Sequence, residues 1–136
     1  MSDLLFVYGT LRKGHSNKMA EYLSVHAEFL TDGWFQGYMY QISYYPGVIA
    51  SDDINDRAYG ELYRLNDPET ALALLDDYEE CSAQHVQPAE YKRITTPIST
   101  IDGNIFEQVW IYLYQWPITD KLLIKEGDFM KLLAEA

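Results

Sequence analysis

The segment Gly9-Thr10-Leu11-Arg12-Lys13-Gly14-His15-Ser16 places two glycines at the spacing of a phosphate-binding loop. It follows the apolar run Leu4–Tyr8, which reads as a buried strand. It precedes a short helix through about Leu23 that Ser16 or Asn17 could cap, so the context is right. The chemistry is not: His15 stands where the phosphate-reaching lysine belongs, and no apolar strand ends in a metal-binding aspartate. Nucleotide hydrolysis is rejected on that ground. Cys81 and His85 could form a thiol and its base, but Glu79 and Glu80 alongside would raise a thiol pKa rather than lower it. His15, His26 and His85 are too scattered for a zinc site. Asp76, Asp77, Glu79 and Glu80 diverge around a helix, whereas a hard cation needs converging oxygens. No metal is expected.

One acid of this cluster stands apart from the others by its angle on a predicted helix. Asn66-Asp67-Pro68-Glu69 is a helix start, with Asp67 as cap, Pro68 at the first helical position and acid in the first turn. Ala71, Leu74, Leu75 and Tyr78 follow as the apolar stripe. At about 100° per residue, Glu79 falls between the directions of Leu75 and Leu72, while Asp76, Asp77 and Glu80 point away. A carboxyl at an apolar surface loses hydration, and its pKa rises toward the range useful for proton transfer. The alternative is a helix that stops at Tyr78 and leaves Glu79 as an ordinary exposed acid.

The elements around this helix are mostly strands. Ala27–Ile49 is rich in aromatics, with Asp32-Gly33, Gly37 and Pro46-Gly47 as turn punctuation. Ala58–Leu65 alternates in part and predicts a strand. Tyr91–Thr100 and Ile105–Trp116 flank Asp102-Gly103-Asn104 and predict a hairpin. Asp128 could cap a last short helix carrying Phe129, Leu132 and Leu133. The class is α+β: a mixed, barrel-like β-sheet with a few short helices.

The 136 residues form one domain, 1–136, a size that buries roughly two thirds of the surface its unfolded form exposes. Hydrophobic residues make up 48% and aromatics 15%, enough for a core without disulfides, and the lone Cys81 excludes an intrachain one. The net charge of −11 argues against nucleic acid and against an anionic membrane as partner. The acid is concentrated between Ser51 and Glu90, where only Arg57 and Arg64 oppose it, and most of it reads as a solvated face. Met1-Ser2-Asp3 has no basic n-region and the apolar run after it is short, so the expectation is a cytoplasmic chain.

Phe6-Val7-Tyr8-Gly9-Thr10-Leu11 resembles the strand and Tyr-Gly-Thr/Ser-Leu signature of the γ-glutamylcyclotransferase-like family. Further segments match in the family's order: Tyr45-Pro46-Gly47, Gly60-Glu61-Leu62-Tyr63, Leu75-Asp76-Asp77-Tyr78-Glu79, Tyr91-Lys92-Arg93 and Val109–Tyr114. The resemblance spans nearly the whole chain and is closest to the small bacterial members. It departs at Glu80, where the family usually has glycine, and in the longer stretch Cys81–Glu90.

The resemblance implies a cofactor-free enzyme acting on a small γ-glutamyl amide. The substrate's own α-amino group attacks its γ-carbonyl, forming 5-oxoproline and releasing an amine. Glu79 is the residue that matches the family's proton carrier. The Tyr8-Gly9-Thr10-Leu11 loop would bind the γ-glutamyl head, through backbone N–H groups suited to an oxyanion. Tyr8 has two readings, packed core or a phenol presented to the site. Tyr91 could line the pocket or be structural, and Arg93, on the same strand face, could pair with an acid. Tyr114 and Trp116 could wall the site or pack in the core, and Arg12 or Lys13 could meet a substrate carboxylate. Glutathione, a γ-glutamyl amino acid, a γ-glutamyl-ε-lysine crosslink and a γ-glutamylated amine all fit the resemblance. The alternative from another class is a binding module that holds a γ-glutamyl or 5-oxoproline-like compound without turning it over.

Overall fold

A computed structural model describes residues 2–9, 18–43, 45–79 and 89–129. Strand β1 (Leu4–Val7) is followed by helix α1 (Lys18–His26), then β2 (Ala27–Gln41), β3 (Pro46–Ala50) and β4 (Arg57–Leu65). Helix α2 (Pro68–Tyr78), β5 (Tyr91–Thr100), β6 (Ile105–Tyr114) and the two-residue β7 (Leu122–Leu123) complete the described chain. The strands lie in the order β3-β2-β4-β1-β6-β5. A further pairing of β2 with β5, Gly33 opposite Thr100 and Trp34 opposite Ser99, closes β2, β4, β1, β6 and β5 into a barrel. β1 runs parallel to β6 and antiparallel to β4, so the sheet is mixed. The predicted α+β class and barrel-like sheet hold.

The helix predicted from Asp67-Pro68 and the hairpin predicted around Gly103 are present. Helix α1 continues past Leu23 to His26; its suggested caps Ser16 and Asn17 lie outside the described residues, as do Leu132 and Leu133. One expectation is corrected. Asp32-Gly33 and Gly37 do not break the chain into turns: β2 runs through both for fifteen residues. Gly33 serves closure instead. A Cβ there would stand 2.6 Å from the Ser99 carbonyl oxygen, so only glycine lets β2 approach β5 closely enough to pair.

Alternation along the strands divides the core in two. Phe6, Tyr8, Phe35, Met39, Leu62, Ile98, Val109 and Ile111 belong to one cluster, which fills the barrel. Leu5, Val7, Tyr63, Tyr112 and Tyr114 face the other way and pack against Leu23 of α1 and Ala71, Leu72 and Leu75 of α2. The helices thus cover one outer face of the barrel. Among the described residues no helix is long and apolar enough to cross a membrane.

Gly33→Ala is expected to destabilise the protein by roughly 1–3 kcal/mol, because the new methyl must push β2 off β5. Urea denaturation at fixed pH measures this, with a reduced midpoint as the expected result.

Candidate functional site

Helix α2 delivers Glu79 to one end of the barrel. Asp67 caps the helix, its Oδ1 accepting the Thr70 N–H at 3.3 Å, and Pro68 begins the first turn. The buried stripe is Ala71, Leu72 and Leu75, whereas Leu74 and Tyr78 are exposed, contrary to the predicted stripe. This rotation keeps Glu79 in the middle of the apolar face. The helix does end at Tyr78, yet the Glu79 N–H still donates to the Leu75 carbonyl at 2.8 Å, so Glu79 keeps its helical phase and is partly buried.

Asp76 does not point away, as its position on the helix suggested. It sits at the edge of the buried stripe, and Arg93 of β5 draws it onto the sheet. Arg93 Nε and Nη2 donate to its two carboxylate oxygens at 2.7 and 3.0 Å, a bidentate pair. The Tyr112 hydroxyl donates to Asp76 Oδ1 at 2.7 Å, and the guanidinium lies 4.3 Å from the centre of the Trp110 ring. The last turn of α2 is thereby fixed to the β5–β6 hairpin three residues before Glu79.

The turn before β3 fixes the other side. A Cβ on Gly9 would stand 2.8 Å from two ring carbons of Pro46, so glycine is needed where the end of β1 meets this turn. The Tyr91 hydroxyl donates to the Pro46 carbonyl at 2.7 Å, and the Tyr45 hydroxyl donates to Glu90 Oε2 at 2.6 Å. The Tyr91 ring meets Tyr114 edge-on at 5.5 Å. Tyr8 is buried, and its hydroxyl donates to the Tyr112 carbonyl at 2.6 Å, so it is both core and close to the site.

These placements set the protonation states. Burial, then the charge of Glu90, pushes Glu79 up to about 7. Burial holds Tyr8 well above the usual phenol range, with Glu79 adding to it. Tyr91 is raised for the same first reason, and then by Tyr8, Glu79 and Glu90. Tyr8 and Tyr91 are therefore neutral near pH 7 and donate hydrogen bonds. The site offers a carboxyl group pushed up to about 7, among neutral phenols, where α2 meets the ends of β1 and β6 and the start of β5.

Of the residues singled out in the sequence, Tyr8, Gly9, Glu79 and Tyr91 come together. Thr10, Leu11, Arg12, Lys13, Glu80, Cys81 and His85 lie outside the described residues. Trp116 lies beyond the end of β6 and is exposed, so it does not share the setting of Tyr114. Sequence reasoning gave no role to Tyr45 or Glu90. The adjacency of Glu90 to Tyr91 was the available signal for the second.

The sequence model of the family described as gamma-glutamyl cyclotransferase, AIG2-like, matches residues 5–131. The chain belongs to this family. A Vibrio cholerae relative, which carries the γ-glutamylcyclotransferase name provisionally, is 36% identical over 132 residues, covering 95% of this chain and 96% of its own. The zebrafish (Danio rerio) protein named gamma-glutamylaminecyclotransferase A is 31% identical over 121 residues, 79% of this chain and 66% of its own. The solution structure of the protein ytfP from Escherichia coli superposes with a TM-score of 0.63 at 30% identity, covering 95% of this chain and 97% of that one. The γ-glutamylcyclotransferase-like barrel described above is therefore shared across the family in sequence and in shape.

In this cyclotransferase-family chain the Asp76–Arg93 pair holds the helix end that carries Glu79. Arg93→Lys is expected to lower stability by about 1–3 kcal/mol, because lysine cannot make the bidentate bond or lie flat on Trp110. Chemical denaturation of the two proteins side by side gives the difference.

Proposed function

We propose that this protein cleaves a γ-glutamyl amide by intramolecular attack of the α-amino group on the γ-carbonyl, releasing 5-oxoproline and an amine. The observation that carries this reading is the Glu79 carboxyl, desolvated beside Tyr8, Tyr91 and Glu90 and pushed up to about 7. A base with that proton affinity is half ionised at neutral pH. It can take a proton from an ammonium and return it to a leaving amine with little penalty either way.

In this mechanism Glu79 first takes a proton from the substrate's α-ammonium group. The freed amine attacks the γ-carbonyl carbon, closing a five-membered ring and placing negative charge on the former carbonyl oxygen. Backbone N–H groups of the Tyr8-Gly9-Thr10-Leu11 loop stabilise that charge. Glu79 then gives its proton to the leaving nitrogen as the C–N bond breaks. The second proton of the ring nitrogen passes through Glu79 to the released amine, which departs as an ammonium while the ring is left as the neutral lactam. No water is consumed. The substrate supplies its own nucleophile, so the protein's task is to fold it into the ring-closing conformer. Tyr8 and Tyr91, each fixed by a hydrogen bond to a backbone carbonyl, give the bound head rigid walls. The net charge of −11 favours a neutral or cationic leaving amine over an anionic one.

The test is release of 5-oxoproline, followed by mass spectrometry, from a panel of γ-glutamyl dipeptides and amines. Glu79→Gln, with its fold verified, is expected to lower kcat by about 10²–10⁴-fold. Oxoproline made equally by both proteins would remove Glu79 from the mechanism. No oxoproline from the wild type, with a γ-glutamyl compound still raising the melting temperature, would make this a binding module.

Two pH dependences follow from the raised Glu79 pKa. The wild-type kcat/KM is expected to rise with pH through an acid limb near 7, as Glu79 becomes the free base. Stability moves the opposite way. The folded state binds the Glu79 proton more tightly than the unfolded state, whose value is near 4.5, so stability falls as pH rises from 4.5 through about 7. Glu79→Gln removes this loss. Its stability relative to wild type is expected to be greater at pH 8 than at pH 4 by roughly 1–3 kcal/mol, read from denaturation curves at the two pH values.

A further inference from the structure

The proposed reaction uses one carboxylate, but a second lies close to it. Glu90, directly before Tyr91 at the start of β5, is partly buried, and its Oε2 accepts the Tyr45 hydroxyl at 2.6 Å. Its negative charge acts on Glu79 at the end of α2, on Tyr8 at the end of β1, on Tyr91 of β5 and on Tyr114 of β6. The phenols are neutral donors; Lys92, the first cation along β5, is exposed, and Arg93 is bound to Asp76. Among the described residues no cation pairs with Glu79 or Glu90, so their negative charge suits a cation in the ligand. Tyr45 holds Glu90 in one orientation, and the Tyr45 ring is itself packed 6.3 Å from Tyr91.

We propose that Glu90, held by Tyr45, binds the α-ammonium group of the γ-glutamyl head. This rests on the reaction proposed above and assigns a second residue to it. An ammonium has three N–H donors. One proton passes to Glu79, and another remains in a hydrogen bond to Glu90. The amine stays in place while its lone pair turns to the γ-carbonyl, and no covalent bond to Glu90 forms or breaks. Glu90 also keeps Glu79 basic, which eases removal of that proton once the ammonium is seated.

The experiment has a turnover arm and a binding arm. In the first, 5-oxoproline release is followed against pH for wild type, Glu90→Gln and Tyr45→Phe. Glu90→Gln is expected to raise KM about tenfold or more and to move the acid limb of kcat/KM to lower pH. Tyr45→Phe, which frees Glu90 without removing its charge, is expected to raise KM less and to leave the limb near its wild-type position. The limb reports the charge of Glu90 beside Glu79, and the binding arm reports its contact with the ammonium. In the second arm, calorimetry in the Glu79→Gln background compares a γ-glutamyl amide with its α-N-acetyl counterpart. With Glu90 present the free ammonium form is expected to bind about tenfold tighter, and Glu79→Gln/Glu90→Gln is expected to lose that preference. Unchanged KM and limb in Glu90→Gln, or a preference that survives the double substitution, would overturn the proposal. Absence of turnover in wild type would overturn the proposed reaction alone, since the binding arm decides the ammonium site by itself.

Discussion

Pro46 sits where four parts of the chain meet, and the surroundings of Glu79 take their form from that contact. Its ring occupies the space a side chain at position 9 would need, and its carbonyl accepts the Tyr91 hydroxyl. The residue before it, Tyr45, reaches Glu90. The residue after it, Gly47, lies against the Tyr114 ring, where a Cβ would come within 2.8 Å. The ends of β1 and β6 and the starts of β3 and β5 are thus held by one rigid turn. Proline is well suited to the post, because its ring is fixed and its missing N–H leaves only the carbonyl to satisfy.

A carboxyl that titrates near neutrality is one that the fold has partly deprived of water. The Asp76–Arg93 pair makes that arrangement stable. It takes up the neighbouring acid in a bidentate bond on the outer face, so that α2 can lie close to the barrel with Glu79 turned inward. One acid of the cluster is neutralised by a guanidinium and its neighbour is left to titrate. Two carboxyl groups three residues apart on one helix are set to opposite tasks by their surroundings.

The features legible in the sequence were those decided locally. Asp67 and Pro68 announce the start of α2 through cap chemistry, and Asp102-Gly103-Asn104 announces the hairpin. The angle of Glu79 follows from helical periodicity once the start is known, and it survived an error in the stripe, since the true stripe of Ala71, Leu72 and Leu75 surrounds it even more closely. What failed was decided by partners distant in sequence. Asp76 turns onto the sheet only because Arg93 and Tyr112 are there to receive it. Gly33 carries the same composition signal in a turn as at a strand crossing, and only the approach of Ser99 distinguishes the two. Glu90 gains meaning from Tyr45, a residue that lies on the far side of α2 in the sequence.

Strand β1 has a consequence for how the molecule comes into being. It lies between β4 and β6, and its parallel register with β6, Leu5 opposite Trp110, joins residues near opposite ends of the described chain. During synthesis from the N-terminus, β1 can pair with β4 early but must wait for β6 with its other edge open. Such long-range pairing slows folding and leaves an edge exposed to other chains in the meantime. The Tyr8 hydroxyl bond to Tyr112, 104 residues further along the chain, forms only when that wait is over. A nascent or truncated chain that lacks β6 therefore has α2 and Glu79 but not Tyr112 and Tyr114, so the surroundings of that carboxyl are completed only with the last strand of the barrel.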